Sequence, residues 1–439
     1  MMTVAPVSSA ATGGNRRRAR LLSYVAVILL TDILLLLLMR VHPFASEIVK
    51  FAPKARELLG LHIPSSNFYP IGPAILYAPF VALGLGTTAV ILVYLTIGMV
   101  FYCLLCDRIA SFPWRLGALA GLVLNLTFLT NVQWGEDTIF QFVCLMAASY
   151  LMVTYRRLAF AVIALLAALV RSTDFLVFLV FALAMFATER RKTWLLFPLL
   201  YALVAVFNMA EYGSPAPSLN GGYNIFLGQD PLYPVAHPEF DVATFFEGHG
   251  FMDPDKALPP GTPRTEVGLD KAYRDAGLKS LLRDPAQFVY EAFVKSTHWL
   301  FNTDAIPTTA GRYTLQSDAA GKYWINIDKP PTPQGYLLRA TYVPYKIVYN
   351  ALFVAALGGV LIAWAKLRRF DPMALLLLTT IVTLPIAVLA FPNTRFKINY
   401  EILALPAIAL YAPLFIRTLR LGLRGLTQTP TRTPAPTRR

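Results

Sequence analysis

The chain has 439 residues, 56% of them hydrophobic and only 15% charged, whereas soluble globular proteins carry about 25% charged residues. Apolar runs of about 15–22 residues recur along it, close to the ~20 that cross a bilayer as a helix. They are continuous rather than alternating, which excludes a transmembrane barrel and marks an all-α polytopic membrane protein. The net charge of +14 belongs to basic loops on one side of a membrane and gives no reason to invoke nucleic acid.

Residues 1–20 are polar and basic, with Arg16, Arg17, Arg18 and Arg20 ahead of the first apolar run at 21–40. No small-residue cleavage site follows, so that run is read as a retained helix and the N-terminus as cytoplasmic. Further spans are expected at 88–106, 116–133, 138–155, 158–170, 173–188, 193–210, 343–365, 372–391 and 401–418, about ten in all. The loops assigned to the inside are rich in Arg and Lys and hold only the acids Asp107, Glu189 and Asp371. The stretch 210–340 holds more than half of the 25 Asp and Glu residues. This asymmetry places both termini inside and the long loop outside.

A loop of that length is too long for a bare connection. Residues 211–342 are therefore expected to form a small α-rich outer subdomain, between a transmembrane half at 21–210 and C-terminal spans at 343–418. Within it, 264–302 reads as two helices split at Asp284-Pro285, the second ending in Trp299 as an interface anchor. The tail, 419–439, is basic and rich in Pro and Thr, and is expected to be disordered and cytoplasmic. In the first outer loop, 41–87, residues 45–60 are amphipathic, with Phe51, Leu58 and Leu59 suited to the interface. The apolar stretch 69–86 is broken by Pro70, Pro73 and Pro79. Were it to span, every later loop would change sides, so it is assigned as a juxtamembrane or re-entrant element.

Ionisable residues beside membrane helices are costly and usually functional. On the outer face they are Glu47, Glu136 and Asp137 in "QWGEDTIF", Arg171 in "ALVRSTDF", and Arg395 and Lys397 in "PNTRFKINY". If the turn before Glu401 is extended, Arg395 and Lys397 point the same way. They then form a cationic grip for an anionic lipid headgroup, closed by Arg171. Glu47, Glu136 and Asp137 are candidate general bases. Sugar transfer from a lipid phosphate needs an acceptor positioned and deprotonated, because the phosphate leaves readily. Asp32, inside the first span, is read as pairing within the bundle or snorkelling, and as a rival base if that helix ends early. Cys103, Cys106 and Cys144 lie in or beside apolar runs, and the Cys103–Cys106 pair has no second ligand pair, so no disulfide framework or metal site is inferred.

Taken in order, these segments resemble a known family. They are "SEIVKFAPKARELLG" with "FYPIGPAILYAPF", then "GEDTIFQFVCLMAASYLM", "AALVRSTDFLVFL", "GGYNIFLGQDP", "LLRDPAQFVYEAFVKSTHWLF" and "TRFKINYEILALPAIALYA". Their order and spacing resemble the GT-C fold membrane glycosyltransferases of the protein-mannosyltransferase and lipid A aminoarabinose-transferase type. The resemblance implies a GT-C-like bundle. It implies an inverting enzyme that moves a sugar from a polyprenyl-phosphate donor to a hydroxyl of a glycan, lipid or protein acceptor. The active face would be periplasmic or extracellular, on an inner or plasma membrane.

The resemblance further implies Glu47 as acceptor base, where the family normally has Asp. Arg395, Lys397 and Arg171 would hold the donor phosphate, and Tyr69, Tyr223 and Asn224 would contact substrate. No cofactor follows firmly. Some members use a divalent metal, but His237, His249 and His298 show no ligand spacing. Two other readings stay open: a transporter or flippase of lipid-linked sugars, and a non-catalytic scaffold of envelope assembly.

Overall fold

The computed structural model describes residues 10–41, 47–134, 137–229, 258–301, 312–317, 323–329, 333–367, 371–390 and 394–427. The apolar runs become helices because a helix satisfies its own backbone in lipid. The first helix, α1 (Ala10–Val41), is followed by a 3-10 turn (Glu47–Phe51), α2 (Ala52–Leu59) and α3 (Gly72–Ala82). Then come α4 (Thr87–Cys106), α5 (Phe112–Val123), α6 (Leu126–Trp134), α7 (Thr138–Val153), α8 (Arg157–Val170), α9 (Asp174–Glu189) and α10 (Leu196–Tyr212). A more polar region carries α11 (Gly221–Gly228), α12 (Glu266–Arg283), α13 (Pro285–Phe301) and an antiparallel hairpin, β1 (Arg312–Ser317) with β2 (Tyr323–Lys329). Last come α14 (Pro333–Leu367), α15 (Pro372–Val382), α16 (Leu384–Leu389) and α17 (Thr394–Thr427).

Among the described residues six helices are long and apolar enough to cross a membrane, or up to seven if the bent α5–α6 pair is one span. The chain is a predominantly helical, multi-pass membrane protein. The expected count of about ten is higher because it included α7, α8 and α9, which fall short of the ~20 residues a bilayer asks for; they have 16, 14 and 16 residues. The 43° break between α5 and α6 has a local cause: Asn125 Oδ1 accepts from Phe128 N at 2.9 Å and caps the second helix. At 11 residues, α3 is about 16 Å long and too short to cross.

Small residues bring the long helices together, as membrane packing favours. Gly98 of α4 faces the Phe142 ring of α7, and Gly358 and Gly359 of α14 face Phe415 and the Tyr411 backbone of α17. Gly72, at the start of α3, lies against the backbone of Leu169 and Val170, where no side chain fits. Asp32 accepts from Thr96 Oγ1 at 3.1 Å, an interhelical pairing inside the bundle.

The two ends of the bundle differ. At one, Arg20 and Tyr24 of α1 reach Asp107 after α4 at 3.3 and 2.5 Å. Arg108 donates to the Val153 carbonyl at the end of α7, and Arg157 donates twice to Glu189. Tyr155 feels the charges of Arg108, Glu189 and Asp371 together, so the basic loops share this end. The other end carries a cap made from the first loop, α11, α12, α13 and α16. Glu266 of α12 accepts from Ser66 Oγ at 2.5 Å and Asn67 N at 2.9 Å. Leu219 N donates to Asn67 O, and Tyr212 OH donates to Pro64 O. Asp270 accepts from Gly222 N at 2.6 Å.

The helix pair expected over 264–302 is α12 and α13. Thr265 accepts from Gly268 N and caps α12. Asp284 accepts from Ala286 N and Gln287 N at 3.1 and 3.0 Å, so one Asp-Pro step ends a helix and starts the next. Other expectations are corrected. Trp299 is no interface anchor: it is 3% exposed, and its Nε1 donates to the Thr380 carbonyl at 2.9 Å. Phe51 is buried beside Tyr69 rather than placed at the interface. The helix α17 runs to Thr427, so the stretch from 419 to there is ordered as helix; residues 428–439 lie outside the described residues.

Candidate functional site

At the cap end the start of α7, the turn between α8 and α9, and the start of α17 meet in a buried polar network. Arg171 follows α8, where its extended backbone ends the helix. Its guanidinium grips Asp137 at two points, Nε to Oδ2 at 2.9 Å and Nη2 to Oδ1 at 2.5 Å. Its Nη1 donates to Gln141 Oε1 at 2.7 Å. Gln141 passes the network on, because its Nε2 donates to Asp174 Oδ1 at 2.9 Å and to Tyr400 OH at 3.2 Å. Tyr400 OH donates to Asp174 at 2.5 Å, and Asn399 Nδ2 donates to Gln141 Oε1 at 2.8 Å. Arg171 and Asp174 are 5% and 0% exposed. Planar, forked pairing of this kind suits arginine and not lysine.

The start of α17 is helical from Thr394, which corrects the extended turn expected there. Successive helical residues turn by about 100°, so positions 395 and 397 face nearly opposite ways. Lys397 is fully buried. Its ammonium donates to the carbonyls of His298 and Trp299 at 3.3 and 3.2 Å, at the C-terminal end of α13. Cations there are favoured by the helix dipole. One turn on, Glu401 lies 3.8 Å from Lys397 and accepts from Lys346 of α14. Lys346 and Glu401 are themselves 1% and 0% exposed. Lys397 therefore belongs to an internal group of two ammoniums and one carboxylate, not to a surface grip with Arg395.

The first loop approaches the same end. Its 3-10 turn begins at Glu47, and Lys50 from that turn lies 4.7 Å from the Tyr69 ring. Lys54 donates to the Tyr69 carbonyl at 2.6 Å, and burial pushes the Lys54 ammonium below its ordinary value. Two residues after Pro70, Gly72 sits on the end of α8, just before Arg171. Tyr223, on α11, packs edge-on against Tyr273 at 5.2 Å, and burial pushes its hydroxyl up to about 12. Asn224 is half-buried on the same helix. The far end of α11 is tied to α16: Gln229 Nε2 donates to the Leu389 carbonyl at 2.7 Å. Lys295 of α13 donates to the carbonyls of Gly228 and Val388. Burial pushes this Lys295 ammonium down to about 8, against the pull of Glu291.

Of the expected site residues, the structure pairs Arg171 with Asp137 and buries Lys397. It places Tyr69, Tyr223 and Asn224 in the cap. Glu136 lies outside the described residues, as do the side chains of Glu47 and Arg395 and all of His237 and His249. The sequence reading missed Gln141, Asp174, Asn399, Tyr400, Glu401 and Lys346. Lys346 had a usable signal, a lysine inside an apolar run, and Lys397 with Glu401 had another, the four-residue spacing of a helical ion pair. Among the described residues no group of three His, Cys, Asp or Glu side chains is arranged to hold a metal ion. No protein-family model, curated protein or solved structure matches the chain.

Proposed function

We propose that this chain is an inverting membrane glycosyltransferase with a GT-C-like bundle, moving a sugar from a polyprenyl-phosphate donor to an acceptor hydroxyl at the cap end. The observation that carries the proposal is convergence. The Glu47 turn with Tyr69, the start of α7, the Arg171 turn and the start of α17 all lie at one end of the bundle. These are the segments on which the resemblance rests. In this reading the basic end is cytoplasmic, so both termini are inside an inner or plasma membrane and the cap is periplasmic or extracellular. The shorter helices α7, α8 and α9 count as spans. Val153 lies beside Arg108 at the basic end, and Asp174 beside Tyr400 at the cap end.

Glu47 takes the proton of the acceptor hydroxyl. The acceptor oxygen attacks the anomeric carbon, the carbon–oxygen bond to phosphate breaks, and its electron pair leaves with the polyprenyl phosphate. Arg395, on the first turn of α17, meets that phosphate where the helix N-terminus also favours an anion. Arg171 is held ready by Asp137, and a phosphate competes with that carboxylate for the guanidinium. Tyr69, Tyr223 and Asn224 contact the sugar or acceptor.

The test is transfer of labelled sugar from polyprenyl-phosphate donors in proteoliposomes, with and without a chelator to expose any divalent-metal requirement. Glu47→Gln and Arg395→Ala are expected to abolish transfer while remaining folded. Full activity of Glu47→Gln refutes the assignment of the base. A second reading, a transporter of lipid-linked sugars, draws on the buried Lys346–Glu401 pair, since intramembrane ions mark transport paths. Movement of labelled lipid between leaflets without sugar transfer favours it.

A further inference from the structure

The adjacent helices α12 and α13 have opposite polarity. On α12 the exposed positions hold Lys271, Arg274, Asp275, Lys279 and Arg283, with Leu278 and Leu282 among them, while Tyr273 and Gly277 face inward. That is the pattern of a helix with one face in water. On α13 the pattern is reversed. Its buried residues are Glu291, Lys295 and Trp299, one per turn. Its exposed stripe holds Val289, Tyr290, Phe293 and Phe301, at 66%, 58%, 70% and 48% exposure. No exposed position from Ala286 to Phe301 carries a charge. Ions inward and aromatic residues outward is the arrangement of a helix whose solvent is lipid.

Its depth follows from its contacts. The Trp299 indole bonds to Thr380, which lies within the membrane-competent segment Pro372–Leu389. The carbonyls of His298 and Trp299 bond to Lys397, at the start of the segment Lys397–Leu421. The last turn of α13 thus sits level with two membrane helices, not above them. With 17 residues it is about 25 Å long and short of a full crossing.

We propose that α13 is a lipid-immersed, non-spanning helix, and that its Val289, Tyr290, Phe293 and Phe301 stripe is a bilayer-contact surface entering the acyl region of the leaflet on the cap side. The opposite face of α13 packs against α15 and α16, through Trp299 with Thr380 and Lys295 with Val388. This holds whatever reaction the cap serves.

The test uses the full chain in liposomes of phosphatidylcholine and phosphatidylglycerol. Cys103, Cys106 and Cys144 are replaced by alanine, and spin labels are attached through Val289→Cys, Phe293→Cys and Phe301→Cys. Asp275→Cys and Lys279→Cys on α12 serve as comparators. Oxygen is expected to relax the α13 labels several-fold more than a water-soluble nickel chelate does, with the reverse order on α12. Equal access of the chelate to positions 293 and 279 overturns the proposal. So does exclusion of both relaxants at 293 and 301, which means that a second copy or another protein covers the stripe. Phe293→Trp, read by quenching from acyl-brominated lipid, gives a second measurement with a gentler substitution. Quenching no greater than in the wild type also overturns it.

Discussion

Replacing Glu401 tests the internal charge group most sharply. Glu401 is fully buried and is the acidic partner of both Lys346 and Lys397. At 3.8 Å, and with an effective dielectric of about 20, its attraction to Lys397 alone is worth about 4 kcal/mol. Glu401→Leu removes that attraction and leaves two buried ammoniums repelling each other. Breaking a buried pair from one side costs about 3–5 kcal/mol, so the apparent unfolding temperature in detergent is expected to fall by several degrees. Adding Lys346→Met to Glu401→Leu is expected to recover most of the loss, because an apolar replacement of a whole buried pair is often neutral. Lys397 keeps its carbonyl partners at His298 and Trp299. Fluorescence-monitored thermal unfolding of the wild type, the single and the double variant is the assay. A single variant as stable as the wild type, or a double variant no better than the single, refutes the reasoning.

Stability should depend on pH through Lys295, whose ammonium is pushed from 10.5 to about 8 by burial. Between those values the unfolded chain holds a proton that the folded chain has lost, so stability rises with pH across the window, by up to about 3 kcal/mol, and does not change through this group below pH 8. Unfolding curves at pH 7.5 and 10 check this (about half a unit inside or outside the window), and Lys295→Met should remove the rise. Arg171→Lys keeps the charge but loses the fork to Asp137 and Gln141; a loss of about 1.5–3 kcal/mol is expected in the same unfolding assay. At Gly228 an added methyl collides with the backbone of Ala390. Gly228→Ala is therefore expected to loosen α11 from the end of α16, at a cost of about 1–3 kcal/mol, and limited proteolysis should cut the cap faster.

The helices were legible where the signal was local. Continuous apolar runs marked the bundle, and Asp284-Pro285 marked the break between α12 and α13, because an Asp cap followed by Pro at the first helical position is a short-range device. The start of α17 departs from expectation for an equally local reason: Pro392-Asn393 favours an extended turn, whereas Lys397 and Glu401 have helical spacing. The network around Arg171 is out of reach of the sequence. Gln141 and Asn399 are 258 positions apart, and an amide in an apolar run gives no hint of which distant segment it will bond. Trp299 shows a different failure. The rule that puts tryptophan at the interface does not say which face of a helix meets the protein.

That reversed face has a consequence for biogenesis. The helix α13 is synthesised before α14–α17, yet Lys295 bonds to Val388, Trp299 to Thr380 and the last carbonyls to Lys397. A nascent chain that has just completed α13 therefore holds a helix whose charged side has only part of its socket, the Gly228 carbonyl of α11 and its own Glu291, and whose greasy side already favours lipid. It must wait, shallow in the membrane surface or shielded, until the C-terminal helices are inserted. The α13 side of the cap closes last, after contacts such as Glu266 with Asn67 and Asp270 with Gly222 that need only earlier segments.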